Sequence, residues 1–178
     1  MDTQKASVKK IALNYGLLLG LASIALSVVF YVMNVHLERP WWTSVIGILV
    51  MTVIIVYGLK AFKKDNEGFL SLGDAIKVGL AISVIAGIIS AIYNYVFMTY
   101  IEPDLVTQML EMTREQMIEQ NPNMTEEQLE MGLSMTEKFM SPGIMAAFSI
   151  IFTLFLGFII SLISGLIMKQ NRPENYHN

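Results

Sequence analysis

Methionine is the residue type whose placement comes nearest to chemistry in this chain. Met109, Met112, Met117, Met124, Met131, Met135 and Met140 all fall in one acidic segment, residues 102–141. Thioethers are soft ligands suited to Cu(I), and Met109-x-x-Met112 and Met131-x-x-x-Met135 put sulfurs on neighbouring turns of a helix, a geometry open to copper or silver. Nothing else supports such a site. Cysteine is absent, and the two histidines, His36 and His177, lack a Glu or second His at a metal-ligand spacing such as HExxH. Methionine is also a flexible apolar filler of adaptable docking surfaces. On that reading Met109, Met112, Met117, Met131, Met135 and Met140 dock a partner, and neither a cofactor nor a metal is expected.

Catalysis has little else to draw on. Four stretches, residues 11–35, 41–59, 78–101 and 142–168, contain no Asp, Glu, Lys or Arg, whereas ionisable groups inside a membrane mark ion pathways, proton relays and catalytic sites. There is no Gly-rich phosphate loop with its Lys, no calcium loop of alternating Asp and Asn, and no His or Lys beside the serines of these stretches. Asn14 and Asn94, each beside a tyrosine, are the most polar side chains within them. An amide in hydrocarbon needs a hydrogen-bond partner, so both are expected to join helices and, if a path exists, to line it. Asp74 and Lys77 fall on one face at the entry to the third stretch and read as surface anchoring.

The elements that carry these residues follow from the solvent they imply. At about 1.5 Å per residue even the shortest stretch covers roughly 28 Å, close to the roughly 30 Å core of a bilayer. Of 178 residues, 54% are hydrophobic and 15% charged, which is too apolar for an ordinary soluble domain. The expected fold is all-α: an integral membrane bundle of four transmembrane helices with a helical extracytoplasmic loop between the third and fourth. Lys5, Lys9 and Lys10 precede the first span; Lys60, Lys63, Lys64 and Lys77 lie between the second and third; Lys169 and Arg172 follow the fourth. Basic flanks stay in the cytoplasm, so both termini are expected inside. The first span continues to Val35, well past the small-x-small triplet Ser23-Ile24-Ala25, and reads as an uncleaved anchor instead of a secretory signal.

Spans one and two are joined by residues 36–40, which forces an antiparallel hairpin and puts Trp41 and Trp42 in an interfacial belt. The acidic segment should hold two amphipathic helices: Pro103 can start one, Asn121-Pro122-Asn123 breaks it, and Thr125-Glu126-Glu127-Gln128 has the form of a capping box. Leu105, Val106, Met109, Leu110 and Met117 share a face of the first, and Leu129, Leu133 and Met140 a face of the second. Within lipid, helices associate through small residues at four-residue spacing. Gly16 and Gly20 make one such row, Gly79, Ser83, Gly87 and Ala91 a second, and Gly157, Ser161 and Gly165 a third.

More specific combinations are Ala12-Leu13-Asn14-Tyr15-Gly16 with Gly20, the run from Glu67 through Gly73-Asp74-Ala75 to Gly79, Tyr93-Asn94-Tyr95, and Glu102-Pro103. Together with a closing helix from near Pro142, they resemble the DUF4199 family of small, uncharacterised membrane proteins of Bacteroidota; that family often has Asp where this chain has Glu102. The resemblance implies a four-helix protein of the bacterial inner membrane and brings no activity, substrate or catalytic residue. The sequence therefore points to a non-enzymatic accessory, scaffold or assembly subunit. It would touch lipid and another membrane or envelope protein, or itself, through the span-three small-residue face and the Met-rich helices. A small oligomeric transporter or channel is the alternative and copper or silver handling the minor one, while acidic balance disfavours nucleic acid.

Overall fold

The computed structural model describes residues 7–38 and 40–173, so the readings at Lys5 and His177 lie outside the described residues. Six α-helices follow one another: α1 (Val8–Val32), α2 (Trp41–Asp65), α3 (Leu72–Val96), α4 (Leu105–Gln120), α5 (Glu126–Phe139) and α6 (Pro142–Met168), with a π-helical turn at Phe97–Ile101. Four of them, α1, α2, α3 with its π turn, and α6, are long and apolar enough to cross a membrane. This is a multi-pass membrane protein.

The helix limits are set by caps more than by charge. Ser7 Oγ accepts the Lys10 N–H to open α1, which closes in a Schellman turn: Asn34 takes the left-handed conformation (φ 56°) and the Val35 N–H reaches the Phe30 carbonyl at 3.0 Å. The first span is thus Val8–Val32, shifted towards the N-terminus from the expected 11–35. Span two runs on to Asp65, carrying Lys60, Lys63 and Lys64 on its last turns. Span three starts at Leu72 instead of 78, because Ser71 Oγ accepts the Asp74 N–H at 3.1 Å and donates to Asp74 Oδ2 at 2.6 Å. Counting charge-free residues misses such ends, since long basic side chains leave the apolar zone along a continuing helix. The fourth span, Pro142–Met168, matches expectation, and Thr125 with Gln128 forms the anticipated capping box of α5. Pro103 lies in the turn before α4, whose first helical residue is Leu105.

Helix α3 is the centre of the bundle. Of its apolar window 44% is buried, against 17% for α1, and it packs on α6, α1 and α2; contacts of α1 with α2 and of α2 with α6 complete the ring. The small-residue rows explain how. Gly79 faces Ser161 and Ser83 faces Gly157 in an antiparallel seam so close that a β-carbon on either glycine would collide with the opposing serine. The seam continues through Gly87, against Ile150 and Thr153, and ends with Gly165 against Ala75. Ser83 Oγ donates to the Gly79 carbonyl at 2.8 Å and Ser161 Oγ to that of Gly157, so both hydroxyls are satisfied within their own helices. Ala91 is buried further along α3. Gly16 and Gly20 of α1 receive Ile85 and Ile89 of α3. The span-three row is therefore consumed inside the molecule, which corrects its expected role as a face for another protein.

The two ends of the bundle differ. At the basic end, Ile55, Leu59, Leu70, Val78 and Ile82 have no exposed surface. Leu70 and Gln170 exchange backbone hydrogen bonds of 2.9 Å, Lys63 Nζ donates to the Met168 carbonyl at 2.9 Å, and Arg172 pairs with Glu67 at 3.0 Å. Backbone groups that α6 leaves open are thereby tied to the α2–α3 connection. At the acidic end, the α4–α5 hairpin touches the bundle through a small cluster in which Phe97, Met98 and Leu105 are buried with Tyr31, Met109 and Met145 against them.

Candidate functional site in the acidic half of the bundle

In the half of the bundle nearer α4 and α5, the inward positions change character. Helix α1 turns Ser23 and Ser27 inward, α3 turns Ser90 and Asn94, α6 turns Ser149 and Thr153, and α2 contributes Ser44 and Gly47. Each pair on α1, α3 and α6 is four residues apart and so on one helix face. Small polar side chains leave space where the basic half holds Ile, Leu and Val.

That space is a crevice of three adjoining chambers. The largest, about 640 Å³, lies among Ser27, His36, Asn94, Phe97, Met98, Leu105, Phe139, Met145, Phe148, Ser149 and Phe152. A second of about 290 Å³ lies between α1 and α2, sharing Ser27 and His36 with the first. A third of about 260 Å³ is bounded by all four spans; it shares Ser23, Ser44 and Gly47 with the second and Phe152 with the first. Leu19, Met51, Ala86 and Leu156 also border it, on the side towards the closely packed basic half. Ser149 and Thr153 spend their hydroxyls on carbonyls of α6 at 2.8 and 2.7 Å. Among the described residues, the side chains of Ser23, Ser27, Ser44, Ser90 and Asn94 make no hydrogen bond to protein. They are donors and acceptors presented to the crevice.

His36 stands at its acidic end. Its Nε2 donates to Glu102 Oε1 at 3.2 Å and lies 3.1 Å from Oε2, with both side chains about 15% exposed or less. Tyr31 packs edge-on against the His36 ring at 4.9 Å and against Phe97 at 5.2 Å. One polar contact thus ties the α1–α2 connection to the point where α3, its π turn and α4 meet. π-helical turns inside longer helices recur at functional sites.

The anticipated site residues are distributed differently from expectation. Asn14 is exposed on the outside of α1, while Asn94 lines the largest chamber. Since Gly16 packs level with Ile82 and Ile85, Asn94 sits about 17 Å further along the bundle, at ~1.5 Å per residue. The two amides neither bridge helices nor share a path. The methionines also part company: Met109 joins the cluster under α4, Met117 lies against Gly132 inside the hairpin, Met112 and Met140 are half-buried, and Met131 and Met135 are exposed. Among the described residues no three His, Asp or Glu gather as metal ligands.

A family model, DUF4199, described as a protein of unknown function, matches residues 14–170. The chain belongs to this family. No curated protein and no solved structure matches it. The DUF4199 match takes in every residue of the crevice and both partners of the His36–Glu102 contact. What the sequence reading missed is the crevice itself and the His36–Glu102 pair. The polar pairs four residues apart in the acidic halves of three spans were the available signal for the former; a separation of sixty-six positions hid the latter.

Proposed function

We propose that this DUF4199 protein is a non-enzymatic protein of the bacterial inner membrane that works by binding a small ligand in its crevice. Lys9, Lys10, Lys60, Lys63, Lys64, Lys77, Lys169 and Arg172 all belong to one end, which supports an orientation with both termini cytoplasmic and the crevice opening towards the outer side. The observation that carries the proposal is the unpartnered polar set Ser23, Ser27, Ser90 and Asn94 inside a largely apolar space of drug-ligand size. Binding without turnover suits a lining whose one ionisable side chain among the described residues, His36, is already engaged by Glu102. Continuous transport is disfavoured by the close packing of the basic half, where Ile55, Leu59, Leu70, Val78 and Ile82 have no exposed surface.

A second reading is an accessory subunit docking a neighbouring envelope protein. It draws on Met131, Met135 and Phe139, which recur every four residues on α5 and are 60–62% exposed. One experiment separates the two: affinity capture of the tagged protein from cross-linked native membranes, with mass analysis of small molecules and proteins together. The binding reading expects one small molecule in stoichiometric amount, absent from a Ser149→Trp variant whose indole projects into the largest chamber. A recurrent second protein lost on Met131→Glu would favour docking. Recovery of the chain alone, from wild type and variant alike, would remove the binding reading.

A further inference from the structure

We infer that the crevice takes a neutral amphiphile dissolved in the membrane, a molecule with a hydrocarbon body and one or two hydroxyl or carbonyl groups. The inference rests on the binding reading above and names its ligand class.

The argument from charge comes first. Among the described residues the only ionisable side chain lining the three chambers is His36, held by Glu102, so an ionic headgroup would enter low dielectric without a partner among them, at a penalty of several kcal/mol. A hydroxyl or ester carbonyl meets no such penalty, because Asn94 and Ser27 offer donors and acceptors with no protein bond to break. The second argument is from surface. Phe97, Met98 and Met145 give the largest chamber an apolar wall, and its volume of about 640 Å³ falls within the roughly 300–1,000 Å³ of small-molecule sites. The third is from access. Phe148 and Phe152 line this chamber and are yet 56% and 60% exposed, as is Phe139 at 61%. The rings of Phe148 and Phe152, on a helix long and apolar enough to cross a membrane, therefore form the side of the chamber nearest surrounding lipid, and a rotamer change of either ring opens a sideways entrance from the bilayer. A ligand arriving by that route is already membrane-dissolved.

The probe is a monoacylglycerol with a diazirine in its acyl chain, photolysed with the full chain in phosphatidylethanolamine–phosphatidylglycerol vesicles, beside a diazirine fatty acid as the anionic control. Expected are adducts on Phe97, Met98 and residues 145–152 that excess unlabelled monoolein removes, with no competed labelling by the fatty acid. Asn94→Leu should weaken competition about fivefold, the worth of one hydrogen bond, while Ser149→Trp should abolish crevice adducts with lipid-facing adducts and thermal unfolding retained. Competed labelling by the fatty acid alone would overturn the neutral class and leave binding standing. Labelling by either probe that its own unlabelled lipid never competes, or that Ser149→Trp does not alter, would overturn both.

Discussion

At the residue scale the molecule turns on pairs of small side chains. Helices in lipid gain little from hydrophobicity and much from close approach, and the α3–α6 seam achieves it by alternation: glycine opposite serine, then serine opposite glycine, at Gly79–Ser161 and Ser83–Gly157. Spacing alone picked out these rows; which helix covers which row depends on bundle order, which spacing does not contain. The seam gives a graded prediction. Gly79→Ala forces a methyl into the Ser161 side chain, itself buried, and overpacking of this kind costs about 1–3 kcal/mol. Gly87→Ala, on the same face, meets nothing nearer than Ile150 Cα at 3.5 Å and should change stability by less than about 0.5 kcal/mol. Thermal unfolding in detergent checks this, and equal losses at the two positions would show that the seam is looser than described.

At the element scale, local signals and distant contacts parted company. The Asn121-Pro122-Asn123 break, the Thr125–Gln128 capping box and Pro142 at the head of α6 act within a few residues and were readable. Ser71 and Asp74 were equally local, but a search for charge-free residues passes over a cap that contains a charge. The joint between the α1–α2 connection and the π turn was not readable, because His36 and Glu102 meet only after three helices have folded back. This joint should hold the acidic end together. Glu102→Leu leaves the largely buried imidazole without its carboxylate, and loss of such a partner costs about 1–3 kcal/mol. Amide exchange should then accelerate by roughly tenfold or more at Val35–Leu37 and across the π turn. Segments tied at the other end, around Leu70 and Gln170, should be unaffected. Uniform acceleration along the chain would mean that the pair supports the whole fold, and no change would mean that it supports nothing.

At the scale of the whole molecule, the four spans were legible because apolar length is dictated by the bilayer, but the division of their interior was not. Serine reads alike whether it lets helices touch, as Ser83 and Ser161 do, or lines a space, as Ser27 and Ser90 do. Only the opposing residues decide: a glycine closes the gap, whereas Phe152 and Leu156 beside Ser90 leave one. The result, among the described residues, is a bundle closely packed at its basic end and hollow at its acidic end, and the absence of native cysteine makes this division measurable. Single cysteines at Ser27, Ser149 and Ser83 place a thiol in the largest chamber, on its far wall and in the α3–α6 seam. A small methanethiosulfonate reagent reacts with the thiolate, so its rate reports access as well as ionisation. Applied in vesicles, it should modify Ser27→Cys and Ser149→Cys at least about tenfold faster than Ser83→Cys, since burial suppresses both. Monoolein should slow the first two and leave the third alone. Equal rates at all three positions would mean that reagent passes below Leu19 and Met51, and the closely packed half would then be a gate that opens, which would return a transport path to consideration.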